Sequence, residues 1–385
     1  MWRSMVVLVL FGCSPLTPIR VDAGTDAGSA GGSAGGTGGG GAQAGGTAGG
    51  QAGGAGGGSA GGVAGGGTAG GGAGGGAGGG AAGPPFTWSA IGLPPNTTVR
   101  AIAGRPGELY AISGNRELLR TTGNVFTVVA GFDLADVADV YVSPTGRVIV
   151  ISTTNWARVC ASGCDQGTNY TPRLAMTSDR FARLCGRGED VYAIAYGTSL
   201  SGILYRFVND QWTRAMNDVG VGSAFECEVL DDGSVLIVGI NGVARFDGVA
   251  NDEPVMLSGQ TPRWRALAVG TRDGGSGDAI IVGGFGAYHS ALRVPQGGRW
   301  SAVPPLSTGR ELTQVAAFGA DEFVAIGDPM TGGPPLVHFQ AGTWAPLVGA
   351  PANLSELRLI TAANGALFLV GLRSGAPALF RGTRP

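Results

Sequence analysis

One short apolar run returns seven times along this chain, and its spacing constrains the fold more than any other feature. The runs are Leu109-Tyr110-Ala111-Ile112, Val148-Ile149-Val150-Ile151, Val191-Tyr192-Ala193-Ile194, Val235-Leu236-Ile237-Val238, Ala279-Ile280-Ile281-Val282, Phe323-Val324-Ala325-Ile326 and Leu367-Phe368-Leu369-Val370. Their last residues fall at 112, 151, 194, 238, 282, 326 and 370, in steps of 39, 43, 44, 44, 44 and 44. Between them lie abundant Val, Ile, Ala and Gly with scattered Pro, and no long apolar pattern with a helical period. The block from Phe86 to Pro385 therefore reads as all-β.

Each repeat has the same grammar. An apolar run precedes the marker strand, as in Phe181-Ala182-Arg183-Leu184 or Val315-Ala316-Ala317-Phe318, and a Gly/Asp/Asn turn such as Asp231-Asp232-Gly233 joins the two. A third strand follows, seen in Ile203 to Phe207, Val243 to Phe246 and Leu336 to Phe339. A fourth carries an aromatic: Phe126, Tyr170, Trp212, Trp300 or Trp344, with Val255 in that place in the fourth repeat. Four short strands at a period in the forties predict a β-propeller. The seventh repeat stops after Ala378-Leu379-Phe380-Arg381, and the missing strand stands at the other end as Phe86 to Ile91. The expectation is a seven-bladed ring of four-stranded blades, with six or eight blades as the alternatives, its last blade completed by the N-terminal strand, which leaves no sheet edge exposed.

The block resembles kelch and BNR-type propellers, and Gly-tethered lipoproteins in particular, through Arg245-Phe246-Asp247-Gly248 and Gly342-Thr343-Trp344. That resemblance implies a fold and little about function.

Before the block, 34 of the chain's 75 glycines fall between Gly24 and Gly83, with Asp26 the only charge. Glycine loses the most backbone entropy on ordering and brings no side chain to bury, so residues 13–85 are expected to be a disordered tether. The GxGxxG matches inside it lack a preceding strand and a following helix, and carry no phosphate-binding meaning. At the start, Arg3 and the apolar Met5 to Phe11 make an export signal too short to span a bilayer as a mature helix. Leu10-Phe11-Gly12-Cys13 resembles the bacterial lipobox, with Phe11 bulkier than the usual occupant. The resemblance implies removal of residues 1–12 and acylation of Cys13. Ser14 in second place implies the outer membrane or cell surface as destination.

Chemistry is sparse in the folded block. Two histidines exist in the chain, His289 and His338. His338 is expected on a blade surface, and His289 beside Tyr288 in a loop of the fifth repeat. Copper-radical oxidase chemistry needs more histidines than this. The turns before Trp212, Trp300 and Trp344 lack the Ser-x-Asp-x-Gly frame of sialidase-type propellers. Asp273 to Asp278 has two carboxylates that could face a calcium ion but no third acidic ligand, and reads as a plain loop. No catalytic residue, metal ligand or cofactor is assigned.

Trp156 and Trp264 stand off the aromatic fourth-strand position and, with Tyr288 and His289, are the candidate ligand-contact residues. Four cysteines follow Cys13, an even number in an exported domain. Cys160 and Cys164 can close a small loop. Cys185 and Cys227 fall on the first strands of neighbouring blades, nine and eleven residues before the ends of their marker strands, and are paired accordingly. With 25 basic and 27 acidic residues and no basic stripe, nucleic acid is not an expected partner.

The functional expectation is a monomeric, membrane-anchored, non-enzymatic module that holds a protein or polysaccharide; the alternative is a carbohydrate-active hydrolase or lyase. In cells fed radiolabelled palmitate, the chain is expected to take up label and Cys13→Ala to lose all of it. Label retained by the variant would remove Cys13 from the account.

Overall fold

The computed structural model describes residues 85–384 except 133–135, 175–177, 198–201, 249, 254–262, 273–274, 285–287, 294–299, 305–310, 329–334 and 364. Cys13, the Gly/Ala segment and Val255 lie outside the described residues.

The strand β1 (Thr87–Ile91) pairs with nothing near it in sequence. The strands after it form antiparallel sheets in chain order. The first sheet holds β2 (Val99–Arg105), β3 (Glu108–Ser113), β4 (Leu118–Thr121) and β5 (Thr127–Val128). The second holds β6 (Val137–Val142), β7 (Val148–Ser152), β8 (Trp156–Cys160) and β9 (Thr171–Leu174). The third holds β10 (Arg180–Arg187), β11 (Asp190–Tyr196), β12 (Gly202–Val208) and β13 (Gln211–Met216). The fourth holds β14 (Ala224–Val229), β15 (Val235–Gly239), β16 (Gly242–Phe246) and β17 (Ala250–Glu253). The fifth holds β18 (Trp264–Arg272), β19 (Gly275–Gly284), β20 (Tyr288–Arg293) and β21 (Trp300–Ala302). The sixth holds β22 (Leu312–Ala317), β23 (Phe323–Gly327), β24 (Leu336–Gln340) and β25 (Thr343–Pro346). The last holds β26 (Leu354–Ala363), β27 (Ala366–Arg373) and β28 (Ala376–Thr383), and its fourth strand is β1.

The recurrent apolar run is the second strand of every sheet, where β7, β15 and β23 are buried at every residue. A strand with a sheet against each face has no side to turn to water, so it reads as continuous rather than alternating hydrophobicity. The first strands β2, β6, β10, β14, β18, β22 and β26 touch one another in succession, and β26 touches β2. The sheets therefore stand around an axis with their first strands innermost, in a propeller arrangement.

The apolar core is divided among the junctions between sheets. Ile149, Ile151 and Phe181, for example, pack with Tyr205 and Trp212 between the second and third sheets. Ile91, Ala111 and Phe126 meet Phe368 and Leu379 between the last and first. The fourth-strand aromatics Phe126, Tyr170, Trp212 and Trp344 are buried in these junctions.

The ring closes through β1, whose register runs from Thr87↔Thr383 to Ile91↔Leu379. Trp88 lies over Gly382, where a Cβ would come within 2.8 Å of the indole ring. Phe86, just before the strand, meets Phe318 edge-on at 4.8 Å, and the Arg384 guanidinium covers Phe86 at 4.6 Å.

Both cysteine pairs form as expected. Cys185 on β10 joins Cys227 on β14 with Cα atoms 5.6 Å apart, and Cys160 joins Cys164 at 5.7 Å. The first bond links two innermost strands across 42 residues of sequence; the second spans four. Chain-entropy arguments give about 4 kcal/mol for the long link and about 2 for the short one. The double variant Cys185→Ala/Cys227→Ala is expected to lose roughly twice the unfolding free energy lost by Cys160→Ala/Cys164→Ala, measured by urea denaturation.

Candidate functional site

Many charged side chains are absorbed by the repeat itself. Four residues before the end of the marker strand stand Glu108, Asp190 and Glu322, and the third strand answers with Arg120, Arg206 and His338. Glu108 accepts from Arg120 Nε at 2.7 Å, Asp190 from Arg206 Nη2 at 2.8 Å, and Glu322 pairs with His338 Nε2 at 2.5 Å. In the fourth sheet Ser234 takes the acid's place and accepts from Arg245 Nε at 3.0 Å, with Asp232 behind it. Burial works against the Glu322 carboxylate, but hydrogen bonds from His338 and Arg384 outweigh it and hold Glu322 below its ordinary value. His338 is thus tucked into an ion-pair cluster, not displayed on a blade surface as the sequence suggested.

A second set works between sheets at the inner wall. In β2, β6, β10, β14, β18 and β22 the pairing register slips by one residue at the same place, a β-bulge. The residue after it turns toward the following sheet: Ala101, Asp139, Arg183, Glu226, Ala266 and Gln314. Asp139 accepts the Leu184 N–H at 2.9 Å, Gln314 accepts the Ile360 N–H at 3.0 Å, and Glu226 accepts the Leu267 N–H. Arg183 can accept nothing, and its junction with the fourth sheet carries the Cys185–Cys227 disulfide instead.

Arg183 sits in the field of Asp139 and Glu226. Desolvation opposes its charge, and the two carboxylates more than compensate, so its pKa rises. Glu226 is pushed up to about 7 by burial, with Arg183 and the Leu267 N–H working against the rise and Asp139 adding to it. Glu228, two residues along the same strand face, is pushed up to about 8 by burial and by Glu226, with Arg187 working the other way. Arg187 in turn pairs with Asp231 of the fourth sheet. Chemically, this inner wall offers a carboxyl that exchanges its proton near neutrality, flanked by two guanidiniums. The sequence gives little local sign of it, because the burial of Glu226 and Glu228 and the charges of Asp139, Arg183 and Arg187 come from other sheets.

The residues expected to contact a ligand are not brought together. Trp156 opens β8 and is 39% exposed. Trp264 is 1% exposed, packed with Leu236, Val238 and Ile281 between the fourth and fifth sheets, and so belongs to the core and not to a contact surface. Tyr288 and His289 are not in a loop: they begin β20, paired with Gly284 and Gly283. Of the acidic loop, Asp273 and Gly274 lie outside the described residues. Asp278 is on β19 and its N–H donates to Ala320 O at 2.6 Å, which makes it part of the junction with the sixth sheet. Among the described residues no group of three or more metal-ligating side chains converges.

Open clefts among the described residues include two at the surface. One is lined by Arg105, Glu108 and Arg120, which are paired with one another. The other lies beside the Cys160–Cys164 loop, where Arg147 and Arg173 both reach Asp210.

Fold and inner wall together define an all-β propeller whose first strands are clamped by polar side chains. No protein-family model matches the chain, and no curated protein sequence matches it significantly. Solved structures resemble it in fold. A catalytically inactive virginiamycin B lyase from Staphylococcus aureus with quinupristin has a TM-score of 0.59 at 10% identity, over 78% of this chain and 100% of that one. YCF48 bound to D1 peptide has a TM-score of 0.55 at 16% identity, over 77% and 97%. An oligogalacturonate lyase in complex with manganese has a TM-score of 0.55 at 11% identity, over 78% and 97%. Two lyases and a peptide-bound protein on one scaffold establish architecture alone.

The raised carboxyls set a pH dependence. In the unfolded chain Glu226 and Glu228 titrate near the ordinary value of about 4.3, and in the fold near 7 and 8. Between those limits the folded state holds more protons, so stability falls as pH rises from about 5 to about 8. Urea midpoints are expected to be higher at pH 5.5 than at pH 8.5, with the gap narrowed in Glu228→Gln. An unchanged gap would mean that Glu228 is ionised throughout.

Proposed function

We propose that this chain is a lipid-anchored, extracytoplasmic binding module whose propeller holds a protein or polysaccharide partner without transforming it. We read each of the seven sheets as one blade. The observation that carries the binding reading is the commitment of polar side chains to architecture: Asp139, Glu226 and Gln314 clamp neighbouring sheets, and the acid–base pairs of the repeat close within their own blades. What remains for recognition is the surface of the turns and clefts. The two disulfides suit an oxidising compartment, which agrees with Cys13 as the site of lipid attachment and with the outer membrane or cell surface as location.

A second reading is favoured by one observation. Glu228, with a proton that leaves near pH 8 and Arg187 and Glu226 close by, has the attributes of a general acid or base for polysaccharide cleavage.

Thermal stabilisation of the purified protein, screened against glycans, divalent ions and envelope extracts, separates the two. Stabilisation without turnover of the stabilising glycan supports the binding module. Turnover that Glu228→Gln abolishes replaces it with the enzyme.

A further inference from the structure

Four residues before the end of the marker strand the repeats carry Glu108, Asp190, Asp278 and Glu322, or the neutral Ser234 and Ala366, and only the second repeat places a cation there. Arg147 stands there, and Val159 occupies the third-strand position that holds Arg120, Arg206, Arg245 and His338 elsewhere. Both halves of the structural ion pair are replaced, which leaves Arg147 with no acid to answer within its own sheet. It turns instead to the third sheet: its guanidinium lies over the Phe207 ring at 4.9 Å and contacts Asp210. Arg173 approaches the same carboxylate at 3.5 Å. Asn209 and Asp210 both have left-handed backbone, φ 49° and 63°, in the tight turn between β12 and β13 that lifts the Asp210 carboxylate toward the second sheet.

Two guanidiniums over one carboxylate leave the cleft with one positive charge in excess. Its other walls are polar: Ser162, Asn169 and Thr171 line it. The Cys160–Cys164 bond closes the loop that carries Ser162, and the Tyr170 hydroxyl donates to Cys164 O at 3.0 Å. Asn169 Nδ2 donates to Gly163 O at 2.7 Å, fixing the other side of the same loop. A rigid, hydroxyl- and amide-lined cleft with surplus guanidinium donors matches an anionic group carried on a polyol: guanidinium forks take carboxylate or sulfate oxygens, and the neighbouring hydroxyls and amide take sugar hydroxyls.

We propose that the cleft between the second and third sheets, built on Arg147, Arg173 and Asp210, binds an acidic sugar unit of a polysaccharide. This rests on the binding-module reading and names its ligand class. Phe207 holds the Arg147 plane in place, and Asp210 orients both guanidiniums while competing with the ligand for them.

The full chain is titrated calorimetrically with alginate hexasaccharide, heparin hexasaccharide, maltohexaose and sodium phosphate, alongside Arg147→Gln, Arg173→Gln and Asp210→Asn. Binding of one or both acidic hexasaccharides is expected, weakening with salt, at least tenfold weaker in each arginine variant and tighter in Asp210→Asn. Preference for alginate or for heparin distinguishes a carboxylate from a sulfate source. Melting temperatures of the unliganded variants report whether the substitutions merely unfold the protein; should Arg147→Gln do so, Asp210→Asn still tests the site through its gain in affinity. Glycan binding that ignores both arginines overturns the site and leaves the general reading standing. Maltohexaose or phosphate bound as well as the acidic sugars overturns the ligand assignment, and a chain that binds envelope protein but no glycan overturns the site while keeping the module.

Discussion

The pairing of β1 with β28 joins residue 87 to residue 383, and every other interface in the molecule depends on it. A propeller sheet is stable because a neighbour covers each of its faces, and an open ring would leave two sheets with a bare face and a bare edge. Closure here rests on five paired residues and a small aromatic assembly: Trp88 over Gly382, Phe86 against Phe318, and Arg384 across Phe86. Nothing local favours this pairing, since it must gather nearly the whole folded block before the first hydrogen bond forms. The stability of the closing strand is therefore collective, supplied by the junction cores once the ring is assembled.

Those cores are apolar, but polar groups set the spacing between first strands. At the bulge position the side chain reaches past its own sheet to an N–H of the next, and the chain uses Asp139, Glu226 and Gln314 for the same task. Where Arg183 cannot accept, a covalent bond stands in. Where the fifth sheet meets the sixth, backbone does the work: the Asp278 N–H donates to Ala320 O, and at Gly277 a Cβ would come within 2.2 Å of that oxygen. The carboxyls at this wall are pushed up from their ordinary values because the clamp brings them out of bulk water and close to one another.

Much of this was legible in sequence for physical reasons. Doubly covered strands must be continuously apolar, so their spacing could be read directly, and an incomplete last repeat with an orphan strand at the other terminus admits few solutions. The cysteine partners followed from their offsets along equivalent strands. Trp264 departs from the expectation because a place off the fourth-strand aromatic does not imply exposure: it opens the first strand opposite Gly283 and is buried between the fourth and fifth sheets. Tyr288 and His289 read as loop in the sequence because a Gly-rich stretch precedes them, yet Gly283 and Gly284 pair with them within the sheet. The acceptors Asp139, Glu226 and Gln314 had no local signature, since their partners are backbone N–H groups some forty residues away. Arg147 was visible in principle: it is a sign reversal at one repeat position, and becomes conspicuous only once all repeats are aligned by register.

The closing strand is also where a pull on the N-terminal end of the folded block would enter it. Thr87 and Thr383 are partners, so the two ends of the folded block lie side by side at the start of one strand pair. Any pull on the chain ahead of Phe86 reaches that pair at its first rung and acts to peel it, bond after bond, instead of shearing the whole strand at once. Phe86 and Arg384 sit at that rung, and their stacking on Phe318 works as a rivet where peeling would begin. Tension applied there would meet three side chains at the seam before it met any blade.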